Sequence, residues 1–234
     1  MTEPARSLAD RTLLVTGASR GIGAAVAASA ASLGARVIRV ARSDLPALDL
    51  AIDLRADLAD SREREAALRQ ITAVHGVPDV IVSNAGSFLL APLEETSDAL
   101  LREQLAINLE ATFAVARHFL PAMRQRGTGV HIIVGSVADH RPFPENAAYA
   151  ASKYGARGLH EVLVEEYRAS GVRCCLISPG PTDTSAWDPV DPDHHEGLTP
   201  RREMLRPTDV AAAVIYAATA PPHVHIESIR LGPA

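Results

Sequence analysis

The chain has 234 residues, of which 47% are hydrophobic, and it carries a formal net charge of −5 at pH 7. This length and composition allow one large core, so we expect a single domain over residues 1–234. The basic residues are scattered along the chain, which excludes the basic surface of a nucleic-acid-binding protein. The Ala-rich stretch 24–33 is far shorter than the roughly 20 residues of a membrane span. We therefore expect a soluble, cytoplasmic protein with no nucleic-acid or membrane partner.

The two cysteines, Cys174 and Cys175, are adjacent in the apolar run 172–178. Neighbouring residues on a strand point to opposite faces, which is a poor geometry for a disulfide, so we predict two buried, reduced thiols. The nine histidines show no HExxH motif and no Cys/His ligand spacing. The pair His194-His195 stands in an acidic, Pro-containing stretch typical of a loop, so no metal site is predicted.

Short runs rich in β-branched residues alternate with longer segments in which apolar residues recur every three or four positions. In chain order, the predicted strands are 12–16, 36–41, 51–56, 79–83, 129–135, 172–178 and 226–231, of which 51–56 is the weakest. The predicted helices are 21–33, 61–75, 98–126, 149–169 and 207–219. This alternation predicts an α/β fold with a Rossmann-like, doubly wound, mostly parallel seven-stranded sheet and helices on both faces.

Two connecting segments depart from this alternation. Residues 43–50 are too short and too interrupted by proline to form a full crossover helix. Residues 181–206 form a long insertion, rich in proline and charge, before the last helix. Long insertions in compact domains are usually lids or binding loops, so we expect this one to cover a substrate.

The stretch TGASRGIG, residues 16–23, follows the first predicted strand directly. At the carboxyl end of a parallel strand, such a turn can hold a phosphate on exposed amides at a helix N-terminus. Gly17 would permit the tight reversal, Gly21 the approach of a pyrophosphate and Gly23 the close packing of helix on strand, while Thr16 and Ser19 can satisfy loop amides. The spacing is not the usual GxGxxG, and an ordinary glycine-rich turn is the alternative.

Five further motifs occur in order along the chain: SNAG (83–86), INLEATF around Asn108, VGSVA (134–138), YAASK (149–153) and SPGPTDT (178–184). Together with TGASRGIG they resemble the short-chain dehydrogenase/reductase family in its single-domain form, across nearly the whole chain. The resemblance implies hydride transfer between a nicotinamide cofactor and a carbonyl or secondary alcohol. It assigns the catalytic residues as Asn108, Ser136, Tyr149 and Lys153.

Tyr149 and Lys153 are four residues apart in a helical segment, so their side chains share one face. Moving the pKa of a phenol from near 10 to about 7 requires roughly 4 kcal/mol of differential stabilisation. Lys153, helped by the positive ring of the oxidised cofactor, is the predicted source, so Tyr149 would donate or accept the proton. The alternative is a surface helix on which a tyrosine and a lysine merely share a face.

Ser136 follows the apolar run 130–134, and its hydroxyl would hold the substrate oxygen beside the phenol. Asn108 interrupts an apolar helical stripe, where an amide is costly unless it is hydrogen-bonded. By resemblance it would help to hold a water that connects Lys153 to solvent as a proton relay. The alternatives are an unremarkable serine at the end of a strand and a structural amide that braces the helix.

The predicted second strand ends at Ala41 and is followed by Arg42, where enzymes that prefer NAD usually carry an acid. Arg20 in the glycine turn is a second cation, and a guanidinium suits the 2′-phosphate of NADP. We therefore predict NADP(H) over NAD. The alternatives are two solvated arginines, with Asp44 contacting a ribose if the connection folds back.

The resemblance assigns the remaining cofactor contacts. Asp57 and Leu58 look like an adenine-binding pair, although Asp57 could instead cap the helix that begins near Ser61. The full predicted cofactor-binding set is Gly17, Ser19, Arg20, Gly21, Ile22, Gly23, Arg42, Asp57, Leu58, Asn84, Ala85, Gly86, Tyr149, Lys153, Pro179, Gly180, Thr182 and Thr184.

The substrate pocket is expected between 87–90, 139–145 and the insertion 181–206 with Trp187. His140 and Arg141 would either steer an acidic substrate or be solvated loop residues. The C-terminal tail resembles members that act on small hydroxy or oxo compounds, and it lacks the Gly-Gly segment usual in ketoacyl reductases. A 3-oxoacyl thioester reductase and a non-catalytic dinucleotide sensor are the rival functions.

Gly155 and Gly158 leave flat places on the helix that carries Tyr149. In the family this helix and the one carrying Asn108 commonly form a two-fold interface, so a homodimer or homotetramer is expected. The alternative is that both glycines pack inside one subunit.

Overall fold

Seven strands form one sheet in a computed structural model that describes residues 7–49 and 51–234. The strands are β1 Thr12–Thr16, β2 Arg36–Ala41, β3 Ala51–Arg55, β4 Val80–Ser83, β5 Gly129–Val134, β6 Val172–Pro179 and β7 Ser228–Leu231. Their order is β3-β2-β1-β4-β5-β6-β7, and every neighbouring pair is parallel. The predicted Rossmann-like, seven-stranded sheet is confirmed.

Among the described residues, six α-helices cover the two faces of this sheet. They are α1 Gly21–Ser32, α2 Ser61–His75, α3 Asp98–Leu105, α4 Ala111–Arg126, α5 Ala147–Glu166 and α6 Pro207–Ala218. In the described residues, β2 runs into β3 without a helix between them, as the short segment 43–50 predicted, although position 50 itself lies outside the described residues. The first six residues of the predicted domain also lie outside them. No helix among the residues described is both long and apolar enough to cross a membrane.

The sheet separates two apolar clusters because successive strand residues point to opposite faces. On β1, Leu13 and Val15 join the cluster under α1 and α6, whereas Leu14 joins the cluster under α2, α4 and α5. The cysteines divide in the same way: Cys175 lies in the first cluster and Cys174 in the second. Both are buried and unpaired, as predicted, and burial raises the pKa of each thiol to about 12.

One long predicted helix, 98–126, is a single helical run that is locally distorted. A π-helical turn, Ala106–Glu110, joins α3 to α4, and Asn108 lies in its middle. Such single π turns are rare and occur frequently at functional sites. Side-chain periodicity predicted the extent of the helix but not this widened turn.

An ion pair between β2 and β3 stabilises the part of the sheet next to the segment 43–49. Arg39 is 2% exposed and donates to both carboxylate oxygens of Asp53, from Nε and from Nη2, at 2.8 Å each. Its Nη2 also donates to the Pro46 carbonyl at 2.7 Å. A bidentate guanidinium is suited to this position because it satisfies several acceptors at once in a buried setting.

The chain leaves β1 towards β3 and then returns to β4, so the winding direction reverses between β1 and β4. In open parallel sheets, the crevice at the carboxyl ends of the strands on either side of such a reversal is where ligands bind. The fold therefore places the binding position at the ends of β1 and β4.

Candidate active site

A cleft of about 630 Å³ opens at the carboxyl edge of the sheet, where the strand order reverses. The residues that follow five different strands line it: Gly17 after β1, Arg42 after β2, Asn84 after β4, Gly135 after β5 and Gly180 at the end of β6. These motifs are far apart in the sequence. Parallel strands bring them to one place because all of their carboxyl ends lie on the same edge.

The glycine turn lies at one end of this cleft, between β1 and α1. Gly17 and Gly21 have φ angles of +67° and +56°, which L-residues rarely adopt. A Cβ atom on Gly23 would lie 2.3 Å from the Gly17 carbonyl oxygen and 2.5 Å from Asn84 Nδ2. The turn therefore packs backbone against backbone with no space for a methyl group.

The end of β4 is hydrogen-bonded to this turn. Asn84 Nδ2 donates to the carbonyl oxygens of Thr16 at 2.9 Å and Gly17 at 3.2 Å. Thr16 Oγ1 accepts from the backbone N–H groups of Asn84 and Ala85, each at 3.0 Å. Thr16 therefore satisfies amides as predicted, although the amides belong to the neighbouring strand end and not to its own loop.

Two arginines flank the outer end of the cleft. Arg20 and Arg42 both line it and are exposed, and neither forms an ion pair with a residue in the described ranges. Asp44 pairs instead with Arg55, Oδ1 to Nη1, at 3.5 Å, with nearly all of its side chain exposed. It is not among the described residues that line the cleft, which argues against the alternative of a ribose contact.

Asp57 and Leu58 line the cleft next to these arginines. Asp57 Oδ1 accepts from the Ala59 N–H at 2.9 Å, so it stabilises its own turn. The cap of α2 is Asp60, whose Oδ1 accepts from the N–H groups of Arg62 and Glu63. The alternative that Asp57 caps this helix is therefore wrong, because the residue immediately before the first turn occupies that position.

Tyr149, Lys153 and Ser136 meet on the wall formed by β5 and α5. The hydroxyl group of Ser136 lies near that of Tyr149 and lowers its pKa. Lys153 is 6% exposed, and its Nζ donates to the Val134 carbonyl at 3.1 Å. The same nitrogen lies 5.6 Å from the centroid of the Tyr149 ring. The predicted helical spacing therefore does place the phenol and the ammonium on one face, behind the serine hydroxyl.

The pKa of Tyr149 is raised to about 12, opposite to the predicted direction. Although the side chain as a whole is partly exposed, its hydroxyl is shielded from water, and burial is the largest cause. The Ser136 hydroxyl lowers the value and the Asp139 charge raises it. Burial also lowers the pKa of Lys153 to about 8, while Asp139 acts in the opposite direction. Lys153 is not among the causes of the shift at Tyr149, and the predicted lowering, which included the positive charge of the oxidised cofactor, stays a prediction.

Asp139 is the main residue of the site that the sequence analysis missed as a functional group. It is 1% exposed, and its Oδ2 accepts from the Ser136 N–H at 3.1 Å and from Ser178 Oγ at 2.6 Å. Its Oδ1 lies 2.7 Å from His140 Nδ1. The signal was present in the sequence: Ser136 and Asp139 have the Ser-x-x-acid spacing of a capping box, which they form around the turn Val137–Asp139.

A second signal concerns Lys153, which is the only lysine of the chain, all other basic side chains being arginine or histidine. An ammonium is compact and its pKa shifts readily on burial, whereas a guanidinium stays charged. The presence of a single lysine in the chain therefore marks position 153 independently of any motif.

The side chain of Asn108 lies behind the cleft and braces it. Its Oδ1 accepts from the Ser87 N–H at 3.0 Å, and its Nδ2 donates to the Ser87 carbonyl at 3.1 Å. Nδ2 also contacts Gln104 Oε1 at 3.2 Å and Ser152 Oγ at 2.9 Å. These contacts support the alternative that Asn108 is a structural amide that braces the helix. Both its oxygen and its nitrogen are hydrogen-bonded within the protein.

An aromatic group closes the other end of the cleft. Phe88 packs edge-to-face on Tyr149, with centroids 5.0 Å apart, and lies 4.7 Å from Trp187 in the insertion 181–206. Phe143 also lines the cleft. His140 and Arg141 are not among the described residues that line it, which favours the reading of Arg141 as a solvated residue of the loop.

Most of the predicted site residues line this one cleft. Those that line it are Gly17, Ser19, Arg20, Gly21, Ile22, Arg42, Asp57, Leu58, Asn84, Ala85, Gly86, Ser136, Tyr149, Lys153, Pro179, Gly180, Thr182 and Thr184. The two that do not, Gly23 and Asn108, pack directly behind it, against Gly17 and Ser87 respectively. The order and spacing of the motifs in the sequence were thus sufficient to identify residues that lie at or directly behind one cleft.

The family profile described as short chain dehydrogenase matches residues 11–195. D-threitol dehydrogenase of Mycolicibacterium smegmatis is 34% identical over 223 residues, which cover 89% of this chain and 86% of the relative. Dehydrogenase/reductase SDR family member 11 of Bos taurus is 33% identical over 245 residues, covering 96% of each chain.

Two solved structures have the same architecture. An alcohol dehydrogenase from the archaeon Thermococcus sibiricus, complexed with 5-hydroxy-NADP, superposes with a TM-score of 0.81 at 26% identity, covering 96% of this chain and 97% of that one. A metagenomic short-chain oxidoreductase in complex with NADP gives a TM-score of 0.80 at 31% identity, covering 97% and 98%.

The charge of Asp139 yields a prediction for the titration of Lys153. The folded pKa of Lys153 is about 8, and Asp139 raises it towards the ordinary value. Asp139→Asn keeps the shape but removes the charge, so the pKa should fall below 8 and the ammonium should lose its proton at lower pH. Because the chain has one lysine, NMR of protein labelled at the lysine ε-carbon reports this titration as a single resonance.

The matched control is Asp191→Asn, which removes an equal charge from an exposed Asp–His pair. It should leave the Lys153 titration unchanged because solvent screens distant exposed charges. An Asp139→Asn protein that is folded and titrates at the wild-type pH would contradict the electrostatic role of Asp139.

Proposed function

The chain belongs to the short-chain dehydrogenase/reductase family, and from that premise we propose that it is an NADP(H)-dependent oxidoreductase. The reaction is hydride transfer between nicotinamide and the carbonyl carbon or secondary alcohol of a small hydroxy or oxo compound. The observation that carries this proposal is the meeting of Tyr149, Ser136 and Lys153 on one wall of the cleft whose other end is the glycine turn.

The residues of the cleft fit a dinucleotide. A Cβ atom on Gly21 would lie 3.1 Å from Thr184 Cγ2, so a side chain there would narrow the cleft between α1 and the loop after β6. Gly21 is also the first residue of α1, where backbone N–H groups favour a phosphate. The adenosine would lie by Asp57 and Leu58, and the nicotinamide by Pro179, Gly180, Thr182 and Thr184.

The cofactor supplies the hydride in reduction and accepts it in oxidation. Tyr149 exchanges the proton at its hydroxyl, and Ser136 holds the substrate oxygen next to that hydroxyl. Lys153 Nζ donates a hydrogen bond to the Val134 carbonyl and lies near Tyr149. It would provide positive charge there and a hydrogen bond to the nicotinamide ribose. A phenol is protonated at neutral pH at its ordinary pKa near 10, and burial raises the pKa of Tyr149 further, so its hydroxyl can donate a proton in reduction.

A proton relay from Lys153 to solvent through a water near Asn108 stays a prediction. The contacts of the Asn108 side chain support a positioning role, since it fixes Ser87 next to Phe88 at the substrate end of the cleft.

The preference for NADP(H) over NAD(H) rests on charge at the end of β2. Arg20 and Arg42 line the cleft and form no ion pair with any residue in the described ranges, so both guanidinium groups are available for a 2′-phosphate. The acid nearest to Arg42 in sequence, Asp44, is paired with Arg55.

Neither rival function is favoured by a specific observation. A 3-oxoacyl thioester reductase would need free cations on the insertion beside the substrate end to dock a phosphopantetheine carrier. The arginines of that insertion are paired: Arg201 with Asp183 and Asp188, Arg202 with Glu203, and Arg206 with Asp209. A non-catalytic sensor has no need for a phenol, a serine hydroxyl and a buried ammonium that all line one cleft.

We also propose that two or four copies assemble through α4 and α5. Phe113, Tyr154 and Val162 are large apolar side chains exposed on these helices, and a Cβ on Gly158 would meet no atom within 4 Å. Gly155 differs, because a Cβ there would lie 2.8 Å from Leu109 Cδ2 inside the subunit. The single domain over 1–234 and the cytoplasmic location stay predictions from the sequence.

The assembly is tested by multi-angle light scattering at micromolar concentration. A mass of two or four chains is expected, since these apolar side chains lose their contact with water in such an interface. A Val162→Glu variant should shift the mass towards one chain because it would bury unpaired charge at the interface. A wild-type protein that is purely monomeric would contradict the proposal.

The proposed chemistry is tested by Tyr149→Phe, which removes only the hydroxyl. Turnover should fall by about 100- to 10,000-fold, the usual contribution of a positioned acid or base. The dissociation constant of NADPH, measured by fluorescence titration, should change by less than about twofold, because the ring and its packing remain. A panel of ketones, aldehydes and hydroxy acids, followed by cofactor absorbance, provides the turnover assay.

Tyr154→Phe on the same helix is the matched control, since that side chain is exposed and does not line the cleft. It should leave turnover and cofactor binding unchanged. Near-normal turnover in Tyr149→Phe would refute the role of the phenol, and tight NADPH binding with no turnover of any compound in wild type would favour the sensor.

The cofactor preference is tested by Arg42→Gln. Loss of one charge-assisted hydrogen bond, worth about 1.5–3 kcal/mol, should weaken NADPH binding by about 10- to 100-fold. NADH, which lacks the 2′-phosphate, should bind as before. Arg69→Gln, at an exposed arginine of α2 paired with Glu65, is the control. Tighter binding of NADH than of NADPH by wild type would reverse the preference.

A further inference from the structure

The aromatic group beside Tyr149 forms a continuous apolar surface at the substrate end of the cleft. Phe88 contacts the Tyr149 ring at an interplanar angle of 78° and the Trp187 ring at 59°. Such edge-to-face and tilted pairs stabilise each other beyond simple burial. The surface is continued by the lining residues Leu89, Val137, Phe143 and Pro181.

Trp187 offers this surface no polar group. Its side chain is buried, and its Nε1–H donates to the Thr182 carbonyl at 3.1 Å. The one hydrogen-bond donor of the indole is therefore satisfied within the protein. Only carbon atoms of Trp187 remain for contact with a ligand.

Arg201 holds the turn that carries Trp187. Its Nη1 donates to Asp183 Oδ1 at 2.7 Å and to the Thr184 carbonyl at 3.1 Å, and its Nη2 donates to Asp188 Oδ1 at 2.6 Å. These bonds join both sides of the turn Ser185–Trp187. The aromatic surface is consequently preformed, and the charge of Arg201 is balanced by the two carboxylates.

Among the described residues that line the substrate end, none is a cation free to bind an acidic substrate. Arg20 and Arg42 lie at the opposite end, beside the turn after β1 and the end of β2. Lys153 is bound to the Val134 carbonyl and lies near Asp139, which carries the opposite charge. Glu103, the charged side chain that α3 contributes to the lining, is itself acidic.

From these contacts we infer that the substrate is a neutral carbonyl compound or secondary alcohol with an apolar, flat or branched group next to the reacting carbon. That group lies against Phe88 and Trp187 while the oxygen reaches Ser136 and Tyr149. This inference rests on the proposed oxidoreductase function. A hydroxyl group buried against the Phe88 and Trp187 rings would have no partner on them, at a cost of about 1–3 kcal/mol, which disfavours polyols. No described lining residue at this end offers a carboxylate a free counter-charge.

The test compares three alcohols as substrates of the wild-type enzyme with saturating NADP⁺: 1-phenylethanol, the four-carbon polyol erythritol and gluconate. We expect kcat/KM for 1-phenylethanol to exceed the other two values by about tenfold or more. Equal or better use of erythritol or gluconate would overturn the inference.

Phe88→Ala examines the surface directly. Phe88 is partly exposed, so the variant should fold, and its thermal midpoint checks this. Its kcat/KM for 1-phenylethanol should fall about tenfold, mainly through KM, while NADPH binding is unchanged. Val74→Ala, at an exposed apolar residue of α2, is the control. A folded Phe88→Ala enzyme with wild-type kcat/KM for 1-phenylethanol would also overturn the inference.

Different results would contradict the inferred substrate class and the proposed oxidoreductase function. If only the substrate class is wrong, the enzyme oxidises polar alcohols and Tyr149→Phe abolishes that activity. If the oxidoreductase function itself is wrong, no alcohol is oxidised although NADPH binds, and the inference falls with it.

Discussion

The site depends on the close backbone contact between the turn after β1 and the end of β4. A methyl group on Gly23 would overlap the Gly17 carbonyl, and Asn84 donates two hydrogen bonds to carbonyl oxygens of the same turn. This contact fixes where α1 begins and therefore where its unpaired N–H groups point. Gly21, in the same turn, faces Thr184 in the loop after β6. A larger residue at either glycine would separate the two walls that the dinucleotide is proposed to bridge.

At the opposite wall, three buried titratable groups balance one another. Asp139 is hydrogen-bonded to the Ser136 N–H and to Ser178, so its negative charge is fixed behind the serine. That charge opposes the desolvation of Lys153 and adds to the desolvation of Tyr149. The chain uses arginine at every other strongly basic position but a lysine here, where a compact ammonium fits beside the Val134 carbonyl and its pKa can respond to its neighbours. Acid–base behaviour at Tyr149 is thus a property of the group and not of one residue.

The substrate end is built differently, from loops rather than from strand ends. Its aromatic surface comes from the segment after β4 and from the insertion 181–206, which Arg201 ties to two aspartates and a backbone carbonyl. The printed names of similar proteins refer to different compounds, D-threitol in one and an alcohol in another. This is consistent with the general separation between a scaffold that fixes the reaction and loops that select the substrate.

The sequence alone determined the seven strands, their alternation with helices and the order of the motifs, because hydrophobic periodicity and strand-end glycines are local signals. The spacing of Tyr149 and Lys153 likewise predicted a shared face. Only the tertiary structure decided what depends on contacts between distant segments. Asp139 became a buried partner of Ser178, the Asn108 amide bonded to Ser87, and burial raised the pKa of Tyr149. Burial and charge at a site are sums over neighbours that folding brings together, and no local pattern records them.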